Sequence, residues 1–402
     1  MRKKSALILL GLIVLVAGVS IMTMITNWPP RNDKFNKLEY NAGTTGSNIF
    51  PGEFEKQQSV WLQWPSEVYN TGDRPVNPVM IRLIKALDPY IRVNVMVRSS
   101  EEITAVKTLL KANGYTGANS HFYIINHLSI WARDVGPLFI KDSSYLTRVA
   151  DFSFNNYSRD GNTVYIDTEN QVDRLAAKVL KLPVVSSKMV TEGGGIESNG
   201  HGTLMTTESV ALKRNPGMSR LQIENEYKRV LGVKKVIWLK KGLAEDDRIT
   251  GGHINEIARF SDPHTILLAQ VLPADRYASW ASKDSYLRME ENYKILQSST
   301  DQDGKPFRII RVPMPSGLYQ EAGESRKIPV RSYLNYAVTN GAVIMQTYQR
   351  TGRPAALKIT EEKVTGILRS AYPGRNIIGI DAENVNLWGG GLHCITQHMP
   401  AY

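Results

Sequence analysis

The chain contains 402 residues, enough to bury a large core as one big domain or as two ordinary ones. Hydrophobic residues make up 42% and charged residues 22%, a globular balance that excludes a low-complexity chain. The net charge of +11 invites a nucleic-acid function, but the lysines and arginines form no basic stripe interleaved with aromatic residues, so we expect no nucleic-acid partner.

Residues 1–26 predict a helix that anchors the chain in a membrane or acts as a signal peptide. A basic cluster at residues 2–4 precedes an uncharged run from Ser5 to Ile25 that is rich in Leu, Ile and Val. A bilayer-spanning helix needs about 20 apolar residues, and the basic cluster should remain cytoplasmic. We favour an uncleaved anchor over a cleaved secretory signal, for which residues 18–20 offer only a weak small-residue site. Both alternatives place the folded part outside the cytoplasm.

Residues 27–47, which include two consecutive prolines, predict a linker. Beyond it, β-branched and aromatic runs between turn formers predict strands at 59–64, 92–97, 121–125, 138–141, 203–207, 236–239, 265–271, 308–312, 337–346 and 376–380. Apolar spacing of three and four predicts helices at 78–87, 101–112, 171–180, 219–231, 274–296 and 361–369. Because no Gly-, Ser- or Pro-rich break divides these elements, we expect one α/β domain over residues 48–402.

Cys394 is the only cysteine of the chain, so we expect neither an internal disulfide nor a multi-cysteine metal site. If the thiol has a function, that function is nucleophilic attack. The alternative is a small buried apolar side chain. Three glycines at residues 389–391 favour the catalytic interpretation, because glycine lets the backbone approach a ligand where a Cβ atom would clash.

Three other segments combine polar side chains with turn-forming or flexible backbone; they are residues 131–137, 192–197 and 251–256. The first places Asp134 at a predicted strand end, and the second places Glu192 beside three glycines. The third contains His253 and Asn255, which are two positions apart and would share one face of a strand. Singly, each could be a salt bridge, a turn residue or a core histidine. With Cys394 they supply what attack on a planar cationic carbon requires: a nucleophile, a proton donor and anions that hold the cation.

These four segments resemble the agmatine deiminase and bacterial peptidyl-arginine deiminase family. The resemblance extends over residues 50–397 and includes FPGEF at 50–54, SVWLQWP at 59–65, GTLMTTE at 202–208, RNP at 214–216 and SYLNY at 332–336. It implies a five-bladed α/β propeller, the pentein fold, with the active site in the central channel. The alternation of strands and helices is compatible with this fold but does not identify it.

By the resemblance, residues 48–402 form the catalytic domain, with Cys394 as the nucleophile and His253 as the general acid and base. Asp134 would grip the guanidinium of the substrate, and Glu192 would be a second acid near it. Carboxylates orient a guanidinium, and its charge, with a protonated His253, would favour the thiolate of Cys394. A covalent thiouronium would form as ammonia leaves, and water would then release a ureido product.

The resemblance also implies a polar pocket residue at Asn335 and no metal or organic cofactor. The histidines of the chain are scattered and show no familiar metal-binding spacing. The remaining residues that we expect to bind the substrate are Trp131, Arg133, Asn255, Gly390 and Gly391.

Asn255 departs from the family, which usually has aspartate two residues after the histidine as a second carboxylate. The amide keeps the shape, loses a charge and adds a donor facing a group that is itself all donors. A charged hydrogen bond contributes about 1.5–3 kcal/mol, so binding or rate could fall by about ten- to a hundredfold. We expect Glu256 on the opposite face of the strand, where it is a poor substitute. A slower deiminase, one tuned to a less basic substrate and a binding protein without turnover all stay open.

The leading hypothesis is a membrane-anchored, extracytoplasmic guanidine deiminase acting on agmatine or an arginine-like group. Motif agreement favours agmatine, whereas secretion favours arginine in proteins or peptides. Arg159 is the candidate cation for the carboxylate of a C-terminal arginine. A surface binding module is the alternative from another class. A cysteine peptidase using Cys394 and His253 is a third, although peptide cleavage needs donors at an oxyanion site rather than acids.

Overall fold

A computed structural model of the chain describes residues 48–115, 117, 119–159, 162–316 and 330–401. The predicted anchor or signal at residues 1–26 and the predicted linker at residues 27–47 lie outside these ranges. Within them, no helix is both long and apolar enough to cross a membrane. The described residues belong to one compact unit, Thr45–Tyr402.

Short strands and helices alternate along the unit. The strands are β1 (Gln57–Gln63), β2 (Arg92–Val97), β3 (Ser120–Ile124), β4 (Leu138–Lys141), β5 (Thr147–Ser153), β6 (Val184–Val190), β7 (Ile196–Ser198), β8 (Thr203–Thr207), β9 (Lys235–Leu239), β10 (Ala258–Asp262), β11 (Thr265–Gln270), β12 (Arg308–Pro313), β13 (Ala337–Val338), β14 (Ala342–Thr347), β15 (Asn376–Asp381) and β16 (Gln397–Pro400). The α-helices are α1 (Asn77–Leu87), α2 (Ser100–Ala112), α3 (Ala132–Val135), α4 (Thr163–Glu169), α5 (Val172–Leu180), α6 (Glu208–Arg214), α7 (Arg220–Leu231), α8 (Trp280–Gln297), α9 (Ala355–Ala371) and α10 (Glu383–Asn386).

In the described part of the chain, these strands form five sheets with one repeated pattern. A central strand pairs antiparallel with one neighbour and parallel with the other, as in β4-β5-β6. The same pattern recurs in β7-β8-β9, β10-β11-β12 and β13-β14-β15. In the first sheet the antiparallel partner of β1 is β16, from the far end of the unit, and β2 and β3 follow in parallel. Each parallel pair needs a crossover connection, which the helices supply.

Apolar clusters fill the space between neighbouring sheets. Trp61 of β1 and Phe139 of β4 join the first sheet to the second, and further clusters join the second to the third and the third to the fourth and fifth. Val60 of β1 and Ile344 of β14 belong to one cluster, which joins the fifth sheet to the first. Each sheet therefore packs against the next, and the last packs against the first.

Most of the predicted elements are confirmed, and three expectations are wrong. Residues 337–346 form two strands, because Asn340 and Gly341 introduce the turn that this pair favours between strands. Asp134 lies in the short helix α3, not at a strand end. Residues 254–256 form one turn of 3₁₀ helix where a strand was expected.

A cluster of buried charges, which we call the Glu53 cluster, joins several sheets at their common centre. Arg259 of β10 donates to Glu53 and, at 3.1 Å, to Glu197 of β7. The same guanidinium donates to the backbone carbonyls of Leu334 and Tyr336, and Arg133 forms a second ion pair with Glu53. Because each charge in this cluster has an opposite partner, the removal of one leaves another buried without compensation.

We predict that Arg259→Ala lowers the free energy of unfolding by about 3–5 kcal/mol, because Glu53 and Glu197 then lose a buried cationic partner. Equilibrium unfolding in urea, followed by tryptophan fluorescence, measures the change. Arg220→Ala, which breaks a partly exposed pair with Glu208, is the control and should cost less than about 1 kcal/mol. Equal effects of the two substitutions would contradict a stabilising role for the Glu53 cluster.

Candidate active site

Five polar segments meet at the centre, and each directly precedes the antiparallel edge strand of one sheet. They are residues 131–136 before β4, 192–195 before β7, 250–256 before β10, 332–336 before β13 and 389–396 before β16. Hydrogen bonds join the segments side by side: Gly194 donates its backbone N–H to Asp134 over 3.0 Å, and His253 contacts Glu192. The four segments singled out from the sequence therefore come together, with residues 332–336 as a fifth.

Cys394 is buried in the last of these segments. Its Sγ atom lies 3.1 Å from Nδ2 of Asn335 and 3.5 Å from Nδ2 of Asn255. Oε1 of Glu256 lies 3.9 Å from the same sulfur. The backbone of the segment is fixed as well, because His393 donates its N–H to Oδ1 of Asn335 over 2.8 Å and the Cys394 carbonyl accepts from Arg133.

The predicted glycines contact the site through backbone. A Cβ atom on Gly390 would lie 2.5 Å from the ring of Trp131, and one on Gly391 would lie 2.5 Å from Oδ1 of Asn335. Because Cβ atoms do not approach other atoms that closely, a side chain at either position would force its neighbours to shift. The close approach is to the side chains that surround Cys394.

His253 is held between two carboxylates. Its Nε2 lies 3.2 Å from Oε2 of Glu192, and its Nδ1 lies 3.9 Å from Oδ1 of Asp134. Burial would lower the pKa of His253, but the charges of Asp134 and Glu192 outweigh burial and raise it above its ordinary value. The imidazole is therefore favoured in its protonated form.

Asp134 is oriented by a tyrosine that the sequence did not single out. Tyr157 donates its hydroxyl to Oδ2 of Asp134 over 2.9 Å, and its ring packs edge-on against His253. Burial raises the pKa of Asp134, although the charge of His253 opposes the change. Residues 156–158 are all left-handed, with φ between 53° and 60°, which costs about 1–2 kcal/mol per non-glycine residue. The contacts of Tyr157 must offset that cost.

Glu192 is shared between His253 and an arginine. Arg214 donates Nε to Oε1 of Glu192 over 2.6 Å and Nη2 to the carbonyl of Thr250 over 2.5 Å. Burial acts to raise the pKa of Glu192, but the Arg214 guanidinium and His253 lower it below its ordinary range. Glu192 therefore remains ionised and orients the imidazole.

The thiol of Cys394 is protonated in this arrangement. Burial raises its pKa, and the carboxylates of Glu256 and Asp134 raise it further, while the hydrogen bond from Asn335 opposes them. A thiolate therefore needs an additional positive charge beside the sulfur. The site is suited to a cationic ligand, which would supply that charge.

Asn255 fits its surroundings as an amide. Its Nδ2 donates to Nδ1 of His393 over 3.0 Å, and Nε2 of His393 lies 3.0 Å from both oxygens of Glu53. Burial, followed by the charge of Arg133, keeps the pKa of His393 well below its ordinary value. The neutral ring then carries its hydrogen on Nε2, toward Glu53, and offers a lone pair to position 255. An aspartate there would oppose that lone pair.

Glu256 was expected to face away from the site, and this expectation is wrong. In a 3₁₀ turn, successive side chains are about 120° apart, so residues 255 and 256 both reach Cys394. Oε1 of Glu256 accepts a hydrogen bond from Asn335, and Oε2 has no hydrogen-bond partner within the described ranges. Burial raises the pKa of Glu256 to about 8, with further contributions from the nearby carboxylates.

Two of the other predicted residues make their described contacts with groups other than the thiol. Arg133 directs its guanidinium to Glu53 and, over 2.7 Å, to Nδ1 of His398. Trp131 is half-buried, with its ring against Gly390. Arg159 is exposed and lies 5.0 Å above the ring of Tyr157, whose hydroxyl contacts Asp134.

Glu53, His393 and His398 place three potential metal ligands within 4.8 Å of one another. However, Arg133 and Arg259 both contact Glu53, and Arg133 also contacts His398. A metal ion would lie against two guanidinium groups. These ligand atoms therefore suit ion pairing and do not suit a cation.

Sequence reasoning missed three groups of the site: Tyr157, Arg214 and Glu256. Arg214 lies in the RNP motif, which was noted from the sequence, but no contact with Glu192 was predicted for it. The turn formers around Tyr157 indicated a loop, but they did not predict that its side chain would contact Asp134 and His253. Glu256 was considered from the sequence, and the error came from the strand that was assumed at residues 253–256.

Comparisons with known proteins identify the family of the chain. Residues 49–400 match the family described as Porphyromonas-type peptidyl-arginine deiminase. An agmatine deiminase from Medicago truncatula is 30% identical over 395 residues, which cover 90% of this chain and 98% of the relative. The solved structure of an Enterococcus faecalis agmatine deiminase has a TM-score of 0.75 and 26% identity, and the match covers 88% of this chain and 96% of that one. A substrate-bound agmatine deiminase from C. jejuni shares the fold, with a TM-score of 0.73, 23% identity and coverage of 90% and 99%.

We predict that Glu192→Gln lowers the pKa of His253, because one of the two anions beside the ring is lost while Arg214 keeps an acceptor. Titration of ¹³C-labelled histidine by NMR measures the change, and the His253 signal is assigned by its loss in His253→Asn. Glu208→Gln, at a partly exposed acid, should leave the His253 titration unchanged. An unaltered titration in Glu192→Gln would show that Glu192 does not set the charge of the ring.

Proposed function

Because the chain belongs to the Porphyromonas-type peptidyl-arginine deiminase family, whose members are hydrolases of carbon–nitrogen bonds, we propose that this guanidine deiminase works through a covalent intermediate on Cys394. The observation that carries the proposal is the convergence of a buried thiol, a protonated imidazole and carboxylates on one place. A Cβ atom on Gly194 would lie 2.6 Å from Nδ1 of His253, 2.7 Å from Oδ1 of Asp134 and 3.0 Å from Nδ2 of Asn255. The last of these groups also contacts the sulfur.

The charge of the site explains why a guanidinium is the ligand. Asp134 and Glu256 raise the pKa of the thiol, so a neutral ligand would meet an unreactive sulfur. A guanidinium supplies the missing positive charge, and a carboxylate binds it through two parallel hydrogen bonds. Substrate binding and activation of the nucleophile are thus one event. The same acids argue against a peptidase, whose oxyanion needs donors.

The reaction then follows from the positions of the protons. The thiolate of Cys394 attacks the central carbon, and the tetrahedral intermediate collapses as His253 gives its proton to the departing ammonia. The neutral His253 next takes a proton from water, which attacks the thiouronium carbon. The carbon–sulfur bond breaks, the hydroxyl group of the second intermediate gives its proton to solvent as the C=O bond forms, and the ureido product leaves. Tyr157 and Glu192 hold Asp134 and His253 in position throughout.

We infer further that the five sheets are the blades of a propeller whose central channel holds this site. The repeated sheet pattern and the packing of the fifth sheet against the first support that arrangement. The apolar run at residues 5–25 supports attachment of the chain to a membrane, with the site outside the cytoplasm.

The substrate that we propose is an arginine group with a free carboxylate. The guanidinium of Arg159 lies over the ring of Tyr157, and the hydroxyl of Tyr157 donates to Asp134. Tyr157 therefore lies between Arg159 and Asp134. A carboxylate at the outer end of the substrate would be attracted to Arg159, whereas the terminal ammonium of agmatine would be repelled. This contact favours arginine over agmatine.

We predict that the purified protein releases ammonia from a guanidine and that Cys394→Ala lowers the rate by about a thousandfold or more. The panel contains agmatine, free arginine, and peptides with internal or C-terminal arginine. Full activity in Cys394→Ala would contradict the covalent mechanism. Binding of a guanidine without ammonia release by the wild type would instead favour a binding protein, the alternative raised by Asn255.

We predict that Arg159→Ala lowers kcat/KM for a C-terminal arginine peptide by about tenfold, the equivalent of one exposed charge contact, and does not lower kcat/KM for agmatine. Steady-state ammonia release on both substrates measures the change. The control is Arg276→Ala, because Arg276 also covers a tyrosine ring but lies beside Tyr277, outside the site. Equal losses on both substrates would contradict a contact between Arg159 and a carboxylate.

A further inference from the structure

We propose that Glu256 accepts the proton of the Cys394 thiol when a guanidinium enters the site, an assignment that rests on the proposed deiminase function. This chain would then carry at position 256 the carboxylate that its family usually has at position 255. Glu256 is a catalytic residue in this proposal, because it contacts the reacting sulfur.

The groups around the sulfur differ in whether they can accept a proton from it. Asn335 and Asn255 each direct an Nδ2 atom at Sγ, over 3.1 Å and 3.5 Å. An amide nitrogen donates hydrogen bonds and accepts none, so these contacts stabilise a thiolate but do not remove its proton. Oε1 of Glu256, at 3.9 Å, is an acceptor among the described contacts of Sγ.

His253 is poorly placed for the same task. Its Nε2 contacts Glu192, its Nδ1 lies nearest Asp134, and both carboxylates raise its pKa. An imidazole that already carries its proton has no lone pair to offer the thiol. His253 is therefore the acid of the first step, and the base must be another group.

Glu256 has the remaining properties of a base. Its Oε1 is fixed by the amide of Asn335, while Oε2 is buried and has no hydrogen-bond partner in the described chain. The groups that influence it from the surrounding segments are Asp246, Asp134, Arg259, Asn335 and the thiol itself. Burial and the two aspartates together raise its pKa to about 8, so the carboxyl holds its proton for most of the time in the free site at neutral pH. The positive charge of an entering guanidinium favours the carboxylate form, and that form accepts the proton of the thiol.

The step balances within the site. The S–H bond breaks, an O–H bond forms on Oε1, and the electron pair remains on the sulfur, where two amides and the guanidinium stabilise it. When the carbon–sulfur bond later breaks, the sulfur takes that electron pair and recovers the proton from Glu256. The chemistry needs no further reactant.

The experiment uses Glu256→Gln, which keeps an acceptor for Asn335 and removes the base. Alkylation of Cys394 by 2-chloroacetamidine, a planar cation that reacts with thiolates, is followed by mass spectrometry, and ammonia release is followed on the best wild-type substrate. We expect both rates to fall by about a hundredfold or more, the lower end of the range for loss of a general base. Asp173→Asn, which alters a buried acid of raised pKa in another cluster, should retain both rates.

The pH profile separates a base from a structural group. The wild-type alkylation rate should level off above the pKa of Glu256, about 8. In Glu256→Gln the rate should keep rising by about tenfold per pH unit, because hydroxide must then take the proton. If the glutamine variant does not fold, Glu256→Asp retains the carboxylate at a greater distance and should keep the plateau at a lower rate.

Wild-type rates and an unchanged pH profile in Glu256→Gln would overturn the assignment and leave the deiminase function intact. A wild-type protein that releases no ammonia from any guanidine would overturn the proposed function, and the role of Glu256 with it.

Discussion

The burial of charge at the centre of the sheets is the constraint on which the rest of the structure depends. Arg259 and Arg133 neutralise Glu53, and Arg214 neutralises Glu192. Asp134 and Glu256 are different, because they contact polar groups without a guanidinium of the chain as an ion-pair partner among their described contacts. The fold pairs Glu53 and Glu192 with arginines, whereas Asp134 and Glu256 lie near the thiol without such a partner among their described contacts. In the function proposed above, these two acids attract a cationic substrate, and they raise the pKa of the Cys394 thiol in its absence.

The repeated sheet pattern explains how distant parts of the sequence supply one site. Every sheet presents the segment before its antiparallel edge strand to the common centre, so five equivalent positions each contribute polar groups. The five segments have equivalent positions but supply different side chains. In chain order these are an aspartate, a glutamate, a histidine, an asparagine and a cysteine. Because each side chain leaves a turn at the end of a strand, packing between sheets fixes its position. The site needs no separate scaffold.

The sequence predicted the α/β class, most of the elements and the residues that converge, because strand and helix periodicity and polar, glycine-rich segments are local signals. It did not predict side-chain directions within turns. A period of two for residues 253–256 placed Glu256 on the wrong face, whereas the actual 3₁₀ turn brings it to the sulfur. Tyr157 depends on three successive left-handed residues, a conformation that the composition of the segment does not reveal. The ion pairs of Glu53 with Arg133 and Arg259 join segments that are far apart in the sequence. They depend on the packing of the sheets against one another, so no local sequence pattern predicts them.

Strand β16 completes the first sheet by pairing with β1, and Cys394 lies just before it. During synthesis, residues 397–400 leave the ribosome after every other strand of the unit has emerged. Until that moment the edge of β1 is open, and the sulfur has neither its amides nor its acids. Before that pairing, the groups that surround the sulfur in the folded unit are not yet in place. The active centre is therefore complete only after β16 has paired with β1.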